Sequence, residues 1–186
     1  MKTKYILHGG FTAGIKQQDD DFFQEMMKDT PDEIKMLLVY FAASAEKVQL
    51  RTEQDTEELN KNKGNKKLDL RIASPETFVE DCAWADVIYL HGGKTVRLME
   101  ALRKYPNIAN MLSGKIIAAD SAGVNVLGQL FYSKNSKEIG EELNVLPYKT
   151  IAHHEDGTHD QFGQINPESE TLFLREYETM VIVANS

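Results

Sequence analysis

Strand-length apolar runs alternate with helix-period segments along almost the whole chain, and this alternation constrains the fold more than any other feature. "YILHGG" (5–10), "EIKMLLVYFAA" (33–43), "LDLRIA" (68–73), "DVIYLHGG" (86–93), "GKIIAAD" (114–120), "KTIAHH" (149–154) and "TMVIVAN" (179–185) read as strands. Between them, 19–29, 44–62, 75–85, 95–105, 121–131 and 167–177 read as helices, with Ser44 a cap for the second. Phe22, Phe23, Met26 and Met27 share one face of the first helix, behind acidic residues suited to its N-terminus. Strands that are apolar on both faces, joined by helices, predict a mostly parallel sheet covered on both sides. In such sheets ligands bind beyond the carboxyl ends of the strands. Three turns fall there: "HGG" at 8–10, "HGG" at 91–93 and "DSAG" at 120–123.

At 186 residues, with no linker or composition shift, the chain is expected to form one domain, 1–186. A net charge of −8 argues against nucleic-acid and anionic-membrane partners. Cys82 is the only cysteine, so no internal disulfide framework exists; beside Trp84 in a short helix it reads as a buried, inert thiol. The N-terminal apolar run is too short for a signal peptide's core, and no segment has the roughly 20 apolar residues of a membrane span. A cytoplasmic protein is expected.

"AADSAGVNV" (118–126) carries the chemical question. Small residues two before and two after a serine, here Ala119 and Gly123, let a strand turn sharply into a helix with the hydroxyl exposed. Ser121 therefore reads either as a nucleophile or as an ordinary helix cap. A nucleophilic serine needs a base. His153 and His154 end a strand at the same crevice, and alternation lets only one of them face the site. His8 and His91 also end strands, whereas His159 lies in a polar loop. Gly92 and Gly93 offer backbone N–H groups to an oxyanion, with Ala122 N–H as a second donor; Gly9 and Gly10 shape the adjoining pocket. Neither glycine turn fits a phosphate-binding pattern. The mixed polar stretch "HHEDGTHD" (153–160) lacks helical ligand spacing, so no metal is expected, and no cofactor either.

Three segments together resemble a known family. "VIYLHGGKTVRLMEAL" (87–102) is similar to a strand entering Gly-Gly-Gly-Asn-Thr and a Leu-rich helix. "AADSAGVNV" resembles a Gly-x-Ser-Ala-Gly-Ala-Asn elbow, and "LNVLPYKTIAHHED" (143–156) a Leu-Pro…Pro-His-Phe segment. The family is the S51 serine peptidases, which includes dipeptidase E and cyanophycinase. The resemblance implies a three-layer flavodoxin-like or class I glutamine amidotransferase-like α/β fold and a Ser-His-acid mechanism acting on short peptides. It makes Ser121 the nucleophile, His153 the base, and Gly92, Gly93 and Ala122 the oxyanion region; His91, Gly9, Gly10 and His154, at the same strand ends, are expected around the substrate.

Three departures accompany the resemblance. The acid is expected between nucleophile and histidine, where "YSKNSKEIGEEL" (132–143) has no aspartate; Glu138 is the leading choice there, ahead of Glu141 and Glu142. The loop after His153 is acidic and lacks the arginine that an Asp-Xaa substrate would call for. The chain stops at "VIVANS", where relatives continue into a further hairpin. The expected partner is a short peptide, with a homodimer as the one assembly considered. The rival readings are a non-catalytic metabolite-binding module in the same crevice, or an esterase or amidase using the same serine.

Overall fold

A computed structural model describes residues 2–133, 137–155, 162–163 and 165–185. His159 and most of the loop around it lie outside the described residues.

The alternation of apolar runs resolves into a six-stranded sheet with the order β10-β1-β5-β4-β2-β3. Its strands are β1 (Lys2–His8), β2 (Glu33–Val39), β3 (Lys67–Ile72), β4 (Val87–Leu90), β5 (Ile116–Asp120) and β10 (Thr179–Asn185). All neighbours pair in parallel except β10, which runs antiparallel to β1 at one edge. The period-2 rule for strands separates the core into two halves. Leu7, Leu37, Val39, Ile88, Leu90 and Ile117 point to one side, against α3 (Phe78–Trp84), α4 (Thr95–Leu102), α5 (Ile108–Leu112) and α6 (Ala122–Leu127). Ile6, Met36, Leu38, Val87, Tyr89 and Ala118 point to the other, against α1 (Asp20–Met27) and α2 (Ala45–Asn62). The four apolar residues expected on α1 are all buried. The result is the three-layer α/β arrangement of flavodoxin-like and class I glutamine amidotransferase-like folds.

A second sheet, order β7-β6-β8-β9, was not foreseen. It contains β6 (Leu130–Ser133), β7 (Glu138–Glu141), β8 (Lys149–His154) and β9 (Thr171–Arg175). Two expectations are corrected here. The helix predicted over 121–131 stops at Leu127, because Gly128 extends the chain and β6 begins two residues on. The segment 167–177 contains strand β9 rather than a helix: Leu172 and Leu174 are buried while Arg175 is exposed, and β9 pairs in parallel with β8. The run "TLFLR" alternates, which suits a strand, and pairing with β8 overrides the weak helical spacing of its flanks. Ser44 precedes α2 as expected, but its hydroxyl reaches Glu46 rather than capping the backbone.

No helix among the described residues is long and apolar enough to cross a membrane. Cys82 is buried, and burial pushes its thiol up to about 12, which keeps it protonated.

Candidate active site

Ser121 stands between β5 and α6 with φ 44° and ψ −100°, a combination that few non-glycine residues adopt. The sharp bend depends on its small neighbours. A Cβ on Gly123 would lie 2.2 Å from the Leu90 carbonyl oxygen, and Ala119 is fully buried. Ser121 makes no side-chain capping bond to α6. Its hydroxyl instead lies 2.8 Å from His153 Nε2.

His153 reaches the serine through an irregularity in β8. Ala152 pairs with Leu174 and His154 with Arg175, so the register slips at His153, whose φ is +54°. A bulge of this kind re-aims one side chain relative to the strict alternation of a strand. His154 is correspondingly turned away from the crevice. Its ring packs 4.7 Å from Phe173, which belongs to the small cluster with Ile151 and Phe162 on the other face of the second sheet.

The carboxylate found at His153 is that of Glu176. Glu176 Oε1 lies 3.3 Å from His153 Nδ1, and the Thr12 hydroxyl donates to the same oxygen while sitting 3.2 Å from Nδ1. Glu138 opens β7, opposite Ser133 of β6, so β6 intervenes between it and β8. Two strand spacings make that separation roughly 10 Å. Glu141 sits in the same outer strand. Glu142 is pushed up to about 8 by burial and has an oxygen with no hydrogen-bond partner among the described residues, so it is a poor anion. Glu176 was missed because 167–177 was read as a helix. A turn at Glu176–Tyr177, with Tyr177 at φ +63°, follows β9 and brings Glu176 to the end of β8. The side chains of His153 and Glu176 are 28% and 35% exposed, so the pair is open to a substrate arriving from solvent.

The first glycine turn is the surface on which these pieces meet. Ser121 N–H donates to His8 O at 3.0 Å, His153 N–H to Gly9 O at 3.0 Å, and Tyr177 N–H to Gly10 O at 3.2 Å. Gly9 allows the close approach, since a Cβ there would lie 1.7 Å from Arg175 O. Gly10, at φ +115°, lies directly under the His153 ring. Both glycines thus support the site from below.

The second glycine turn lies beside the elbow. A Cβ on Gly92 would be 2.2 Å from Asp120 Oδ1, and Gly93, at φ +152°, packs against Ala42 O. The Gly93 N–H has no acceptor among the described residues. Asn125 joins this turn to the rest of the site: its amide donates to Thr95 Oγ1 at 3.2 Å, and its carbonyl oxygen accepts from Thr150 of β8.

A buried polar layer lies beneath the two turns. His8 is completely buried, and burial holds its imidazole below the usual histidine range, against the pull of Asp120 and Asp19. Asp19 is raised by burial, and Asp55 is raised to about 6 for the same reason. Tyr89 donates to Asp120 Oδ2 at 3.1 Å, and Tyr40 to Asp55 Oδ2 at 2.8 Å. Both phenols are held protonated, mainly by burial. No group of three or more metal-ligating side chains occurs among the described residues.

Comparison with known proteins bears on the family and the fold. The profile described as "Peptidase family S51" matches residues 6–184. A protein from Listeria monocytogenes EGD-e named for peptidase E superposes with a TM-score of 0.67 at 16% identity, covering 100% of both chains. A peptidase from an acI-B1 Actinobacterium gives 0.71 at 19% identity, over 98% of this chain and 84% of that one. No curated protein sequence matches.

Proposed function

The chain belongs to peptidase family S51 and is a serine-type hydrolase, and from that premise we propose that it cleaves short peptides through a Ser121–His153–Glu176 triad. The observation that carries the reading is the 2.8 Å contact between Ser121 Oγ and His153 Nε2, made at a serine whose backbone is held in a rare conformation. That strain has no use if the serine merely caps a helix, but it aims a nucleophile away from its own backbone.

In the proposed mechanism His153 Nε2 takes the Ser121 proton as Oγ attacks the scissile carbonyl. Glu176 accepts from Nδ1–H, fixes the tautomer that leaves Nε2 free, and stabilises the imidazolium; Thr12 orients Glu176. Backbone N–H groups of Gly93 and Ala122 receive the oxyanion, each worth about 3 kcal/mol of barrier on the scale of known oxyanion donors. His153 then protonates the leaving amine, and water resolves the acyl-enzyme. The reaction needs no metal or cofactor. We place it in the cytoplasm on soluble peptides, without nucleic acid or membrane, in keeping with a net charge of −8. A homodimer remains part of the proposal.

A panel of unblocked dipeptides and tripeptides, Asp-Xaa members included, tests substrate class. Wild type is expected to release free amino acids from a subset of the panel, and Ser121→Ala to lose roughly 10⁴-fold or more in kcat. Cleavage of simple esters alone would favour the esterase reading. Turnover by neither substrate class, with ligand retained in the crevice, would favour a binding module.

A further inference from the structure

The two His-Gly-Gly turns are built as a matched pair, and the S51 pattern quoted above for the second has glycine where this chain has His91. His8 ends β1 and His91 directly follows β4; each is buried and has a buried aspartate behind its ring, Asp19 for His8 and Asp55 for His91. Each also turns its Nδ1 onto the backbone of the glycines that follow.

The bonding partners define the proton positions. Gly10 N–H can only donate, so His8 Nδ1, at 3.1 Å, must accept. The His8 proton is then on Nε2, where it is donated to Asp19 Oδ1 at 3.1 Å. Asp19 Oδ2 is occupied by the Lys16 N–H at 2.7 Å, and the ring is sandwiched by Phe11 and Phe22 at 4.2 and 4.8 Å. The second turn has the opposite polarity. Gly92 O can only accept, so His91 Nδ1, at 2.8 Å, carries a hydrogen. Its Nε2 faces Asp55 Oδ2 at 3.5 Å, the oxygen that also accepts from Tyr40.

These bonds act on the reacting groups through rigid peptides. A trans peptide is planar, so its N–H points opposite to its C=O. With the Gly92 carbonyl drawn back to the His91 ring, the Gly93 N–H is turned the other way, and it has no acceptor among the described residues. In the first turn, His8 holds Gly10 N–H, while the carbonyls of residues 8, 9 and 10 receive the backbones of Ser121, His153 and Tyr177.

We propose that His8 and His91 are positioning residues that lock the two turns through Nδ1 in opposite hydrogen-bonding roles. His8 acts as an acceptor that fixes the shelf under the triad, and His91 as a donor that aims Gly93 N–H at the oxyanion. The proposal rests on the serine-peptidase reading for its catalytic consequence, but not for its tautomers.

Two measurements test it. In wild type labelled with ¹⁵N-histidine, long-range ¹H–¹⁵N spectra should show His8 neutral with its proton on Nε2, and His91 with Nδ1 protonated. His8 protonated on Nδ1, or His91 bare at Nδ1, overturns the proposal whether or not the protein hydrolyses anything.

The second measurement is kinetic. Asparagine places an amide atom near the position of Nδ1, whereas glutamine reaches only toward Nε2. His8→Asn and His91→Asn should keep kcat within about tenfold of wild type. His8→Gln and His91→Gln should lose about 10²–10³-fold in kcat with KM changed less than threefold, the scale of a lost oxyanion donor. Equal damage from Asn and Gln, or a loss confined to KM, overturns it. If wild type itself fails to react with a fluorophosphonate, the serine-peptidase reading falls while the tautomer result stands on its own.

Discussion

Glu176→Gln is expected to lower kcat/KM by roughly 10²–10⁴-fold, whereas Glu138→Gln leaves it within twofold. The reason is tautomeric. An amide at position 176 can donate to Nδ1, which stabilises the ring form with its proton on Nε2, and that form cannot accept from Ser121. Removing the orienting carboxylate of a serine triad costs about 10⁴-fold when the group is deeply buried. Glu176 is partly exposed, and Thr12 Oγ1 can still accept from Nδ1, so the lower part of the range is included. Steady-state kinetics on the best peptide of the panel, across pH 5–9, provides the check. A large loss in Glu138→Gln with full activity in Glu176→Gln would restore the acid to the segment between nucleophile and histidine.

Gly10→Ala tests the support beneath the base. A Cβ at this position would stand 2.2 Å from His153 Cε1 and 2.5 Å from Nε2, against ordinary contacts beyond 3.4 Å. The ring must therefore shift by more than about 1 Å, and a displacement of that size costs roughly 10²-fold in rate. The residue would also hold φ +115°, which strains an alanine by on the order of 1–3 kcal/mol. The expected result is a fall in kcat of at least about 10²-fold with a lowered but cooperative melting transition. Wild-type kcat in Gly10→Ala would mean that the ring contact, and with it the Ser121–His153 alignment, has been misread.

The sequence was most informative where burial is symmetrical. Strands such as "MLLV" and "VIYL" are apolar without interruption because both faces are covered, and that property made the central sheet readable. Ser121 was legible because Ala119 and Gly123 flank it, and those small residues are a steric requirement of the turn. His153 was chosen over His154 by resemblance, and the physical reason is the bulge at Ala152/His154, which one sequence does not announce. Glu176 was not legible at all. Its role depends on β9 lying beside β8, a contact between segments more than 20 residues apart, and the mixed spacing of 167–177 pointed to a helix. Thr12 was missed for the same reason: it lies in the loop after β1 and meets Glu176 across 164 residues of chain.

The most direct test of the central claim is the site of covalent reaction with a fluorophosphonate. Intact mass and peptide mapping of the treated protein should show a single adduct on Ser121, formed rapidly in wild type and lost in Ser121→Ala. In His153→Ala the adduct should form at least about 10²-fold more slowly, because the serine has lost its base. An adduct on any other residue, or an unmodified Ser121 in folded wild-type protein, would contradict the assignment of Ser121 as the nucleophile.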